Sequence, residues 1–374
     1  MTARLACTAV LVFATSSALA ADRPAAAPAS QSFRITESRL VNGGTLNTGM
    51  RVVSVSRSGT RRVVASWKGW TALSPDGRYR AWYAHGKGQT RVLVGPTTGG
   101  TPQIVAVTAC ASPMHACATG SALAWSRTNR LAFISYGDRE LGDAKATLGV
   151  ARSDGTVLRR YSYAGTNAAG RQLDYMQPQW SPDGRRLVFV RSEFDGPKDV
   201  LVANTKTWAV RRVFRAVHFK DQPGASWSPD SRSLAIVTQG WDRPRDPVYA
   251  LVNAATGRVA VRKAFCEAGP RCPIGAASVW SPDGREVAYA TSTGIARART
   301  DLSAATYVLE TSMPLELQLW TTDGLIAIDR SGDGSADGSG HAAVVINPVT
   351  GTTTRTIYTS PRGWLLSGVA VATG

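Results

Sequence analysis

Trp180-Ser181-Pro182-Asp183-Gly184 is the stretch that decides the fold, because it returns unchanged at Trp280-Ser281-Pro282-Asp283-Gly284. A short apolar run of the β type follows each copy, as residues 187–190 (LVFV) follow the first one. Variants of the phrase begin at Leu73, Trp125, Trp227 and Trp320. The chain is therefore a tandem repeat of β units about 40 to 55 residues long, and a repeat of this length predicts a β-propeller.

Each unit has the turn signals of four antiparallel strands, as the unit at Trp180 illustrates. Its Ser-Pro-Asp-Gly segment suits a type I turn, because Pro presets φ at the second position, Asp accepts backbone N–H bonds and Gly tolerates the exit geometry. Residues 178–181 give an inner strand, and residues 186–190, 200–204 and 210–214 give the second, third and fourth strands. Four such strands make one blade of an all-β propeller.

Two fragments are left over after six complete units. Residues 51–56 and 61–67 have the pattern of third and fourth strands without a beginning, and residues 364–372 that of first and second strands without an end. Joined, the fragments would complete a seventh blade and close the ring by pairing the two chain ends. We favour seven blades. A six-bladed ring with a loose N-terminal hairpin is the alternative.

The repeated tryptophans and aspartates each have a structural and a functional interpretation. One large aromatic residue at the same place in every blade is what packing between blades requires, so we predict core positions rather than a ligand-binding ladder. These tryptophans are Trp125, Trp180, Trp227, Trp280 and Trp320. The repeated aspartates lie in tight turns, which favours a structural role over acid catalysis. They are Asp76, Asp183, Asp230 and Asp283.

The N-terminus has the parts of a secretory signal. Arg4 supplies the basic region, residues 5–19 the apolar region and residues 18–20 (ALA) the small-residue exit. We predict a signal peptide over 1–20, cleavage after Ala20, a secreted product, a disordered Pro/Ala-rich leader over 21–32 and a single propeller domain over 33–374. No later stretch has the roughly 18 to 20 uninterrupted apolar residues of a spanning helix, so we expect no transmembrane segment.

Of the five cysteines, Cys7 leaves with the predicted signal, and the other four form two close pairs. The pairs are Cys110 with Cys117 and Cys266 with Cys272. In an exported protein such pairs favour local disulfides. A zinc site is the competing interpretation, but four-cysteine zinc sites favour gaps of about two or four residues. We therefore expect two disulfides that brace loops, no metal and no cofactor.

The net charge of +17 makes the chain strongly cationic, and arginine far outnumbers lysine. A cationic surface attracts anionic cell-envelope polymers or an acidic protein face over long range, and salt weakens the attraction. The alternative is that these arginines only solvate strand edges, since they are spread over every repeat. We expect a monomer with a protein or anionic envelope polymer as its partner, and no nucleic-acid partner.

The phrase Trp-Ser-Pro-Asp-Gly-Arg, followed shortly by an apolar β run, resembles the repeat of the TolB-like β-propeller family, a relative of the WD-type propellers. The resemblance extends from about residue 51 to the C-terminus and is strongest at 180–190, 227–237 and 280–290. It implies a propeller, and members of the family are mostly exported binding scaffolds. An N-terminal α/β domain of the TolB kind is not evident, and no serine lies in a Gly-x-Ser-x-Gly elbow.

Two rims of the predicted propeller differ in their loops. The turn rim carries the first-to-second and third-to-fourth turns, which are short; the loop rim carries the second-to-third loops and the connections between blades, which are long and irregular. Binding residues gather on loops displayed by a rigid scaffold, so we predict binding at the loop rim. The alternative is that long loops merely tolerate insertion. Candidate contact residues are Trp241, Arg243, Arg245, Tyr175, His115 and Arg271.

Calcium binding is a weaker alternative at one loop. Asp329, Asp333 and Asp337 alternate with Gly and Ser and have the oxygen ligands that calcium prefers. Their spacing matches no standard calcium loop, and a flexible turn explains the composition better. We therefore predict no metal at this position.

Catalysis is the second function class. A propeller-type carbohydrate-active enzyme, a lyase or glycosidase, would need converging carboxylates or metal-binding histidines around the central channel. The four histidines are scattered along the chain. The loosely placed carboxylates are Glu193, Glu286 and Asp195. The sequence therefore favours a secreted non-catalytic binding scaffold, with the carbohydrate-active enzyme as the alternative.

Overall fold

The repeats fold into seven four-stranded antiparallel sheets, one for each blade of a β-propeller. This computed structural model describes residues 31–41, 46–67, 71–86, 88–109, 123–136, 146–162, 173–193, 198–216, 221–240, 248–264, 273–291, 294–303, 305–311, 315–330, 341–361 and 364–372. Seven blades are confirmed, and the six-bladed alternative is wrong. Within the described part of the chain, no helix is long and apolar enough to cross a membrane.

The strands follow one another through the blades in chain order. The first three strands are β1 (Phe33–Val41), β2 (Leu46–Val55) and β3 (Arg61–Trp67). Blade 1 has β4 (Thr71–Leu73), β5 (Tyr79–Gly86), β6 (Gln89–Pro96) and β7 (Gln103–Ala109). Blade 2 has β8 (Leu123–Trp125), β9 (Arg130–Tyr136), β10 (Ala146–Arg152) and β11 (Val157–Ser162). Blade 3 has β12 (Leu173–Trp180), β13 (Arg186–Glu193), β14 (Lys198–Asn204) and β15 (Val210–Ala216).

The remaining blades repeat this order. Blade 4 has β16 (Asp221–Trp227), β17 (Ser233–Gly240), β18 (Val248–Asn253) and β19 (Val259–Ala264). Blade 5 has β20 (Pro273–Trp280), β21 (Glu286–Thr291), β22 (Gly294–Arg299) and β23 (Ala305–Glu310). Blade 6 has β24 (Leu315–Thr321), β25 (Gly324–Asp329), β26 (Ala342–Ile346) and β27 (Thr353–Thr359). The last strand is β28 (Trp364–Val371).

Blade 7 joins the two ends of the chain, with strand order β28-β1-β2-β3. The ladder between β28 and β1 runs from Phe33 opposite Val371 to Arg39 opposite Trp364, and the N–H of Ala372 donates to the carbonyl of Ser32 at 2.9 Å. The sequence analysis was wrong in one detail, because residues 364–372 supply one strand rather than two. The strand continues through Ser367-Gly368, a dipeptide typical of turns, and β1, with Phe33 and Ile35 buried, supplies the second strand.

Apolar side chains of adjacent blades meet between the sheets and form the core. Val188 and Val200 of blade 3 pack in one buried cluster with Ile236 of blade 4. Ile326 of blade 6 packs in another with Ile35 of blade 7. Each fully buried side chain of this size stabilises the fold by about 1.5–3 kcal/mol. The contacts between blades, rather than within one sheet, therefore hold the ring together.

Four inner strands, β8, β12, β16 and β20, are also bonded to the preceding inner strand by a tryptophan. Trp180 Nε1 donates to the carbonyl of Ala124 at 2.9 Å, and Trp280 Nε1 donates to that of Ser226 at 3.0 Å. The equivalent bonds of the other blades run from Trp125 to Ala72 and from Trp227 to Gln179. The indole thus fills space between two blades while its N–H pairs with the backbone, as a buried tryptophan requires.

The outermost strands carry many of the arginines. Arg61 and Arg62 are exposed on β3, and Arg159 and Arg160 are exposed on β11. Arg160 Nη2 reaches the carbonyl of Val105 on the neighbouring blade at 2.9 Å. Charged side chains on an edge strand discourage pairing with another sheet. Part of the net positive charge therefore protects strand edges, which is the alternative that the sequence left open.

Candidate functional site

The Ser-Pro-Asp turns at the turn rim share one set of hydrogen bonds in four blades. In blade 3, Asp183 Oδ1 accepts from Ser181 Oγ at 2.6 Å and from the backbone N–H of Arg185 at 2.9 Å. Gly184, at φ 68°, closes the turn by donating its N–H to the Ser181 carbonyl at 2.8 Å, in a backbone region that favours glycine. The equivalent aspartates are Asp76, Asp230 and Asp283.

These contacts stabilise the ionised form of the turn aspartates. The hydrogen bond from Ser228 Oγ and that from the N–H of Arg232 lower the pKa of Asp230 below its usual value, against the opposing effect of partial burial. The pKa of Asp283 is lowered in the same way, first by Ser281 and then by the N–H of Arg285. A general acid near neutral pH needs a raised pKa instead. The geometry therefore fits turn formation and not proton donation.

Neighbouring turns are bonded to one another around the rim. Asn129 Nδ2 of blade 2 donates to Asp76 Oδ2 of blade 1 at 2.7 Å, and the N–H of Asp183 in blade 3 donates to Ser231 Oγ of blade 4 at 3.0 Å. Arg34 of blade 7 reaches the carbonyl of Asp76, with Nη2 at 3.3 Å. Hydrogen bonds between neighbouring blades therefore hold the turns that carry these side chains.

An exposed arginine follows the turn in each of the four blades that carry the Ser-Pro-Asp sequence. These residues, together called the rim arginines, are Arg78, Arg185, Arg232 and Arg285. The side chain of Arg285 is 85% exposed. Blade 2 adds Arg127, which is exposed within its own turn. The sequence analysis missed this surface because it judged the rims by loop length, although an arginine after each turn was readable in the repeats.

A cavity of about 700 Å³ lies among the inner strands of four successive blades. Residues of β12, β16, β20 and β24 form its walls, which include Trp227, Trp280 and Trp320. Its polar side chains are Gln177, Gln179, Ser226, Ser278 and Gln318. None of the residues that line it is ionisable. The cavity therefore offers amides, hydroxyls and aromatic surface, without a titratable group for acid–base chemistry.

Of the three carboxylates considered for catalysis, only Glu286 has a described side chain. Glu286 lies at the start of β21 and accepts from Arg297 Nη1 on β22 at 3.1 Å, so it belongs to an ion pair within blade 5. Glu193 ends β13, but its side chain lies outside the described part, as does Asp195. Among the described residues, no three histidine, cysteine, aspartate or glutamate side chains cluster as metal ligands would.

Most residues predicted to bind a partner at the loop rim lie outside the described segments. Tyr175 is placed: it is 3% exposed, and its ring packs edge-on against Phe189 at 5.7 Å between centroids. This position suits core packing. Asp329 ends β25. The undescribed candidates are Trp241, Arg243, Arg245, His115, Arg271, Asp333, Asp337, Cys110, Cys117, Cys266 and Cys272. Their roles stay predictions.

No protein-family model matches this sequence, and no curated protein is significantly similar to it. Solved structures with a similar fold include a puromycin hydrolase, at 16% identity and a TM-score of 0.56, over 91% of this chain and 55% of that one. TolB from Acinetobacter baumannii is similar at 15% identity and a TM-score of 0.42, over 75% and 63% of the two chains. An oligogalacturonate lyase from Vibrio parahaemolyticus is similar at 11% identity and a TM-score of 0.49, over 75% and 80%.

The sheet topology defines the class of protein. This chain is a seven-bladed, all-β propeller, and TolB is one of the β-propeller proteins among its structural neighbours. It spans less than two thirds of the length of TolB and of the hydrolase. At such identities the likeness concerns the fold alone, and a propeller supports unrelated functions. Function has to be argued from the surfaces of this chain.

Proposed function

We propose that this chain is an exported β-propeller that binds an anionic partner, an acidic protein face or an anionic polymer of the cell envelope, without catalysing a reaction on it. The N-terminal pattern over residues 1–20 supports export. The net charge of +17 supports an anionic partner. The fold supplies a rigid display of loops and turns, which is the architecture that binding surfaces use.

The rim arginines are the observation that carries this proposal. They project from equivalent turns whose backbones are fixed by hydrogen bonds, so the positions from which the arginine side chains extend are set before a partner arrives. A guanidinium group binds carboxylate or phosphate through two parallel hydrogen bonds. Several exposed guanidinium groups on one rim therefore suit a partner with repeated anionic groups.

The described carboxylates support binding over catalysis. Those at the turn rim accept hydrogen bonds within their own turns, and Glu286 is paired with Arg297. Glu316, at the loop-rim end of β24, is paired with Arg330, whose Nε lies 2.8 Å from its carboxylate. A hydrolase or lyase acting on carbohydrate would need such groups to converge on one point.

A pull-down from isolated cell envelope tests the anionic partner. The mature protein is immobilised, the retained material is measured, and the experiment is repeated at high salt. We expect salt to reduce recovery several-fold, because screening shortens the reach of surface charges to a few ångströms at about 1 M ionic strength. Equal recovery at both salt concentrations would contradict the electrostatic part of the proposal.

Matched charge variants locate the binding surface. The triple variant Arg185→Gln, Arg232→Gln, Arg285→Gln removes three rim arginines. The control, Arg62→Gln, Arg159→Gln, Arg262→Gln, removes three exposed arginines from outer strands of three blades. We expect the first variant to lose most of the retained material and the control to keep most of it. Equal losses would show that net charge, and not the turn rim, determines binding.

The earlier prediction for the loop rim is tested in the same assay. The double variant Arg243→Ala, Arg245→Ala removes two of its candidate contacts, and a loss confined to this variant would move the binding surface to the loop rim. Release of reducing or unsaturated ends from an envelope or pectic polysaccharide would contradict the non-catalytic assignment. Export is checked by mass spectrometry of protein from culture medium, where we expect a mature N-terminus at Ala21.

A further inference from the structure

The cavity among the inner strands has the chemistry of a binding site that is independent of the charged rim. Its walls come from β12, β16, β20 and β24. Tryptophan bonds join the first three of these strands, from Trp227 Nε1 to the Gln179 carbonyl at 3.2 Å and from Trp280 Nε1 to the Ser226 carbonyl at 3.0 Å. The cavity volume of about 700 Å³ lies within the range of small-molecule sites, roughly 300–1,000 Å³. The site is thus preformed by the propeller itself.

Uncharged hydrogen-bonding groups line this cavity on more than one side. Gln177 and Gln179 of β12 line it and are exposed, so they have solvent-accessible surface for a ligand. The hydroxyls of Ser226 and Ser278, on two adjacent blades, lie 2.8 Å apart. Amide and hydroxyl groups both donate and accept hydrogen bonds. The lining can therefore match a ligand that presents donors and acceptors in several directions.

Irregular pairing in the inner strands places these groups. The register between β12 and β13 shifts between Met176 and Gln179, and that between β24 and β25 shifts between Leu317 and Leu319. A bulge of this kind redirects the side chain of the extra residue. Gln177 and Gln318 lie within these shifts, and Gln318 is further held by Glu316 Oε1 at 3.0 Å. The amides are thus fixed by irregularities of the backbone.

We propose that the cavity binds an uncharged, polyhydroxylated ligand, a neutral saccharide unit. A charged ligand would lose its hydration without meeting a counter-charge on the lining, and an apolar ligand would cover the exposed amides of Gln177 and Gln179 without offering them hydrogen bonds. A sugar ring has hydroxyl groups for the amides and serines, and apolar C–H faces for the tryptophan surface of Trp320. Glu316, the carboxylate bonded to Gln318, is already paired with Arg330.

Titration with defined ligands tests this site. The mature protein is titrated with cellotetraose, maltotetraose, mannotetraose and the tetramer of N-acetylglucosamine, and binding is followed by calorimetry and tryptophan fluorescence. Tetragalacturonate serves as the charged comparison and acetyl-tetraglycine amide as the peptide comparison. We expect at least one neutral saccharide to bind with an affinity that high salt leaves unchanged, whereas binding at the rim arginines weakens with salt.

Variants assign the binding to the cavity. Gln177→Leu with Gln179→Leu keeps the side-chain size and removes two amides, and we expect affinity to fall by about tenfold or more. The control Gln103→Leu changes an exposed glutamine on β7, outside the cavity, and should bind like the wild type. Ser226→Ala with Ser278→Ala provides a second loss variant, and melting curves confirm that each variant is folded.

The possible results separate this proposal from the anionic-partner proposal. Salt-independent saccharide binding that the glutamine variant weakens supports the cavity site, even if the envelope pull-down fails. Binding only of tetragalacturonate or of the peptide overturns it, and so does saccharide binding that all variants retain. Absence of any heat or fluorescence change with the four neutral saccharides at millimolar concentration also overturns it, whatever the pull-down shows.

Discussion

At the scale of single residues, one tryptophan in each of blades 2 to 5 both packs and donates a hydrogen bond. Trp180 lies against the core shared by blades 1 to 3, and its Nε1 bonds to Ala124. We expect Trp180→Ala to lower the free energy of unfolding by about 3–5 kcal/mol, as truncation of a large core aromatic does. Trp180→Phe keeps most of the ring contact but loses the hydrogen bond, so we expect it to lower the free energy of unfolding by about 1 kcal/mol.

Urea denaturation measures both changes. Val349→Ala is a suitable control, because Val349 is 67% exposed in a turn of blade 6, and surface changes of this kind stay within about 0.5 kcal/mol. Equal midpoints for Trp180→Ala and the wild type would contradict the packing role, and the ligand-ladder interpretation of the tryptophans would then deserve a test.

The turn aspartates predict how stability depends on pH. Because Ser228 and the Arg232 N–H lower the pKa of Asp230 in the folded state, its contribution is complete above the unfolded pKa of about 3.9 and is lost as pH falls through the lower folded value. Asp230→Asn cannot titrate. We therefore expect the difference in unfolding free energy between wild type and Asp230→Asn to be constant above about pH 5 and to shrink below about pH 4.

Urea midpoints measured for both proteins across this pH range give the comparison. A difference that stays the same down to about pH 3, near the low end of the range over which carboxylates titrate, would mean that the carboxylate of Asp230 is not stabilised by its turn.

The turn residues show which part of the structure can be predicted from sequence alone. Ser, Pro, Asp and Gly each favour a tight turn locally, so the turns were predictable without tertiary information.

At the scale of strands, one glycine makes room for an aromatic ring. Gly149 on β10 lies opposite Phe133 on β9, and a Cβ atom at Gly149 would be 2.1 Å from Phe133 Cζ. We expect Gly149→Ala to destabilise the protein by about 1–3 kcal/mol, because the ring has to leave its packed position. Phe133 is fully buried, so its ring has little space into which it can move.

A double-mutant cycle tests this explanation. Phe133→Leu removes the atoms that a new methyl group would meet, so we expect Gly149→Ala to cost less in that background than in the wild type. Sites in direct contact couple in this way, whereas independent sites add. Additive free energies in the cycle would show that Gly149 matters for some reason other than the Phe133 ring.

Strand irregularities explain why the cavity amides were not predicted. The repeat pattern predicts regular alternation along an inner strand, but the register shifts at Gln177 and Gln318 break that alternation. A one-residue shift moves side chains to the other face of the strand. The recurring tryptophans of the inner strands indicated packing, and only the assembled ring shows which polar residues line the cavity.

At the scale of the whole molecule, the sequence predicted the number of blades but not how blade 7 divides between the chain ends. Repeated turn phrases mark six blades directly. Blade 7 has no Ser-Pro-Asp turn, because its first and second strands, β28 and β1, are opposite ends of the chain. These two strands are not joined by a turn, so the sequence contains no turn signal between them. In addition, β1 directly follows the Pro/Ala-rich stretch that the sequence analysis predicted to be disordered.

Closure by β28 makes the ring depend on one terminal strand. Removing residues 364–374 would leave one edge of β1 without its partner strand, while β2 still pairs with the other edge. It would also remove Leu366 and Val369, which are buried against blades 6 and 7. We expect a chain ending at residue 363 to lose an amount of stability comparable with a typical total of about 5–15 kcal/mol, and to associate through the uncovered edge of β1, since unpaired edges template pairing with other chains.

Thermal unfolding and size-exclusion chromatography distinguish closure from mere loss of mass at the end of the chain. A chain ending at Ala372 keeps all of β28 and the bond from Ala372 to Ser32, so it should melt like the wild type and remain in the same peak. A synthetic peptide of residues 364–372 should restore the shortened chain in part, because the vacated ladder position is specific for its register. A shortened chain that melts at the wild-type temperature would mean that the ring does not need the inner strand of blade 7, because packing between blades would then outweigh closure.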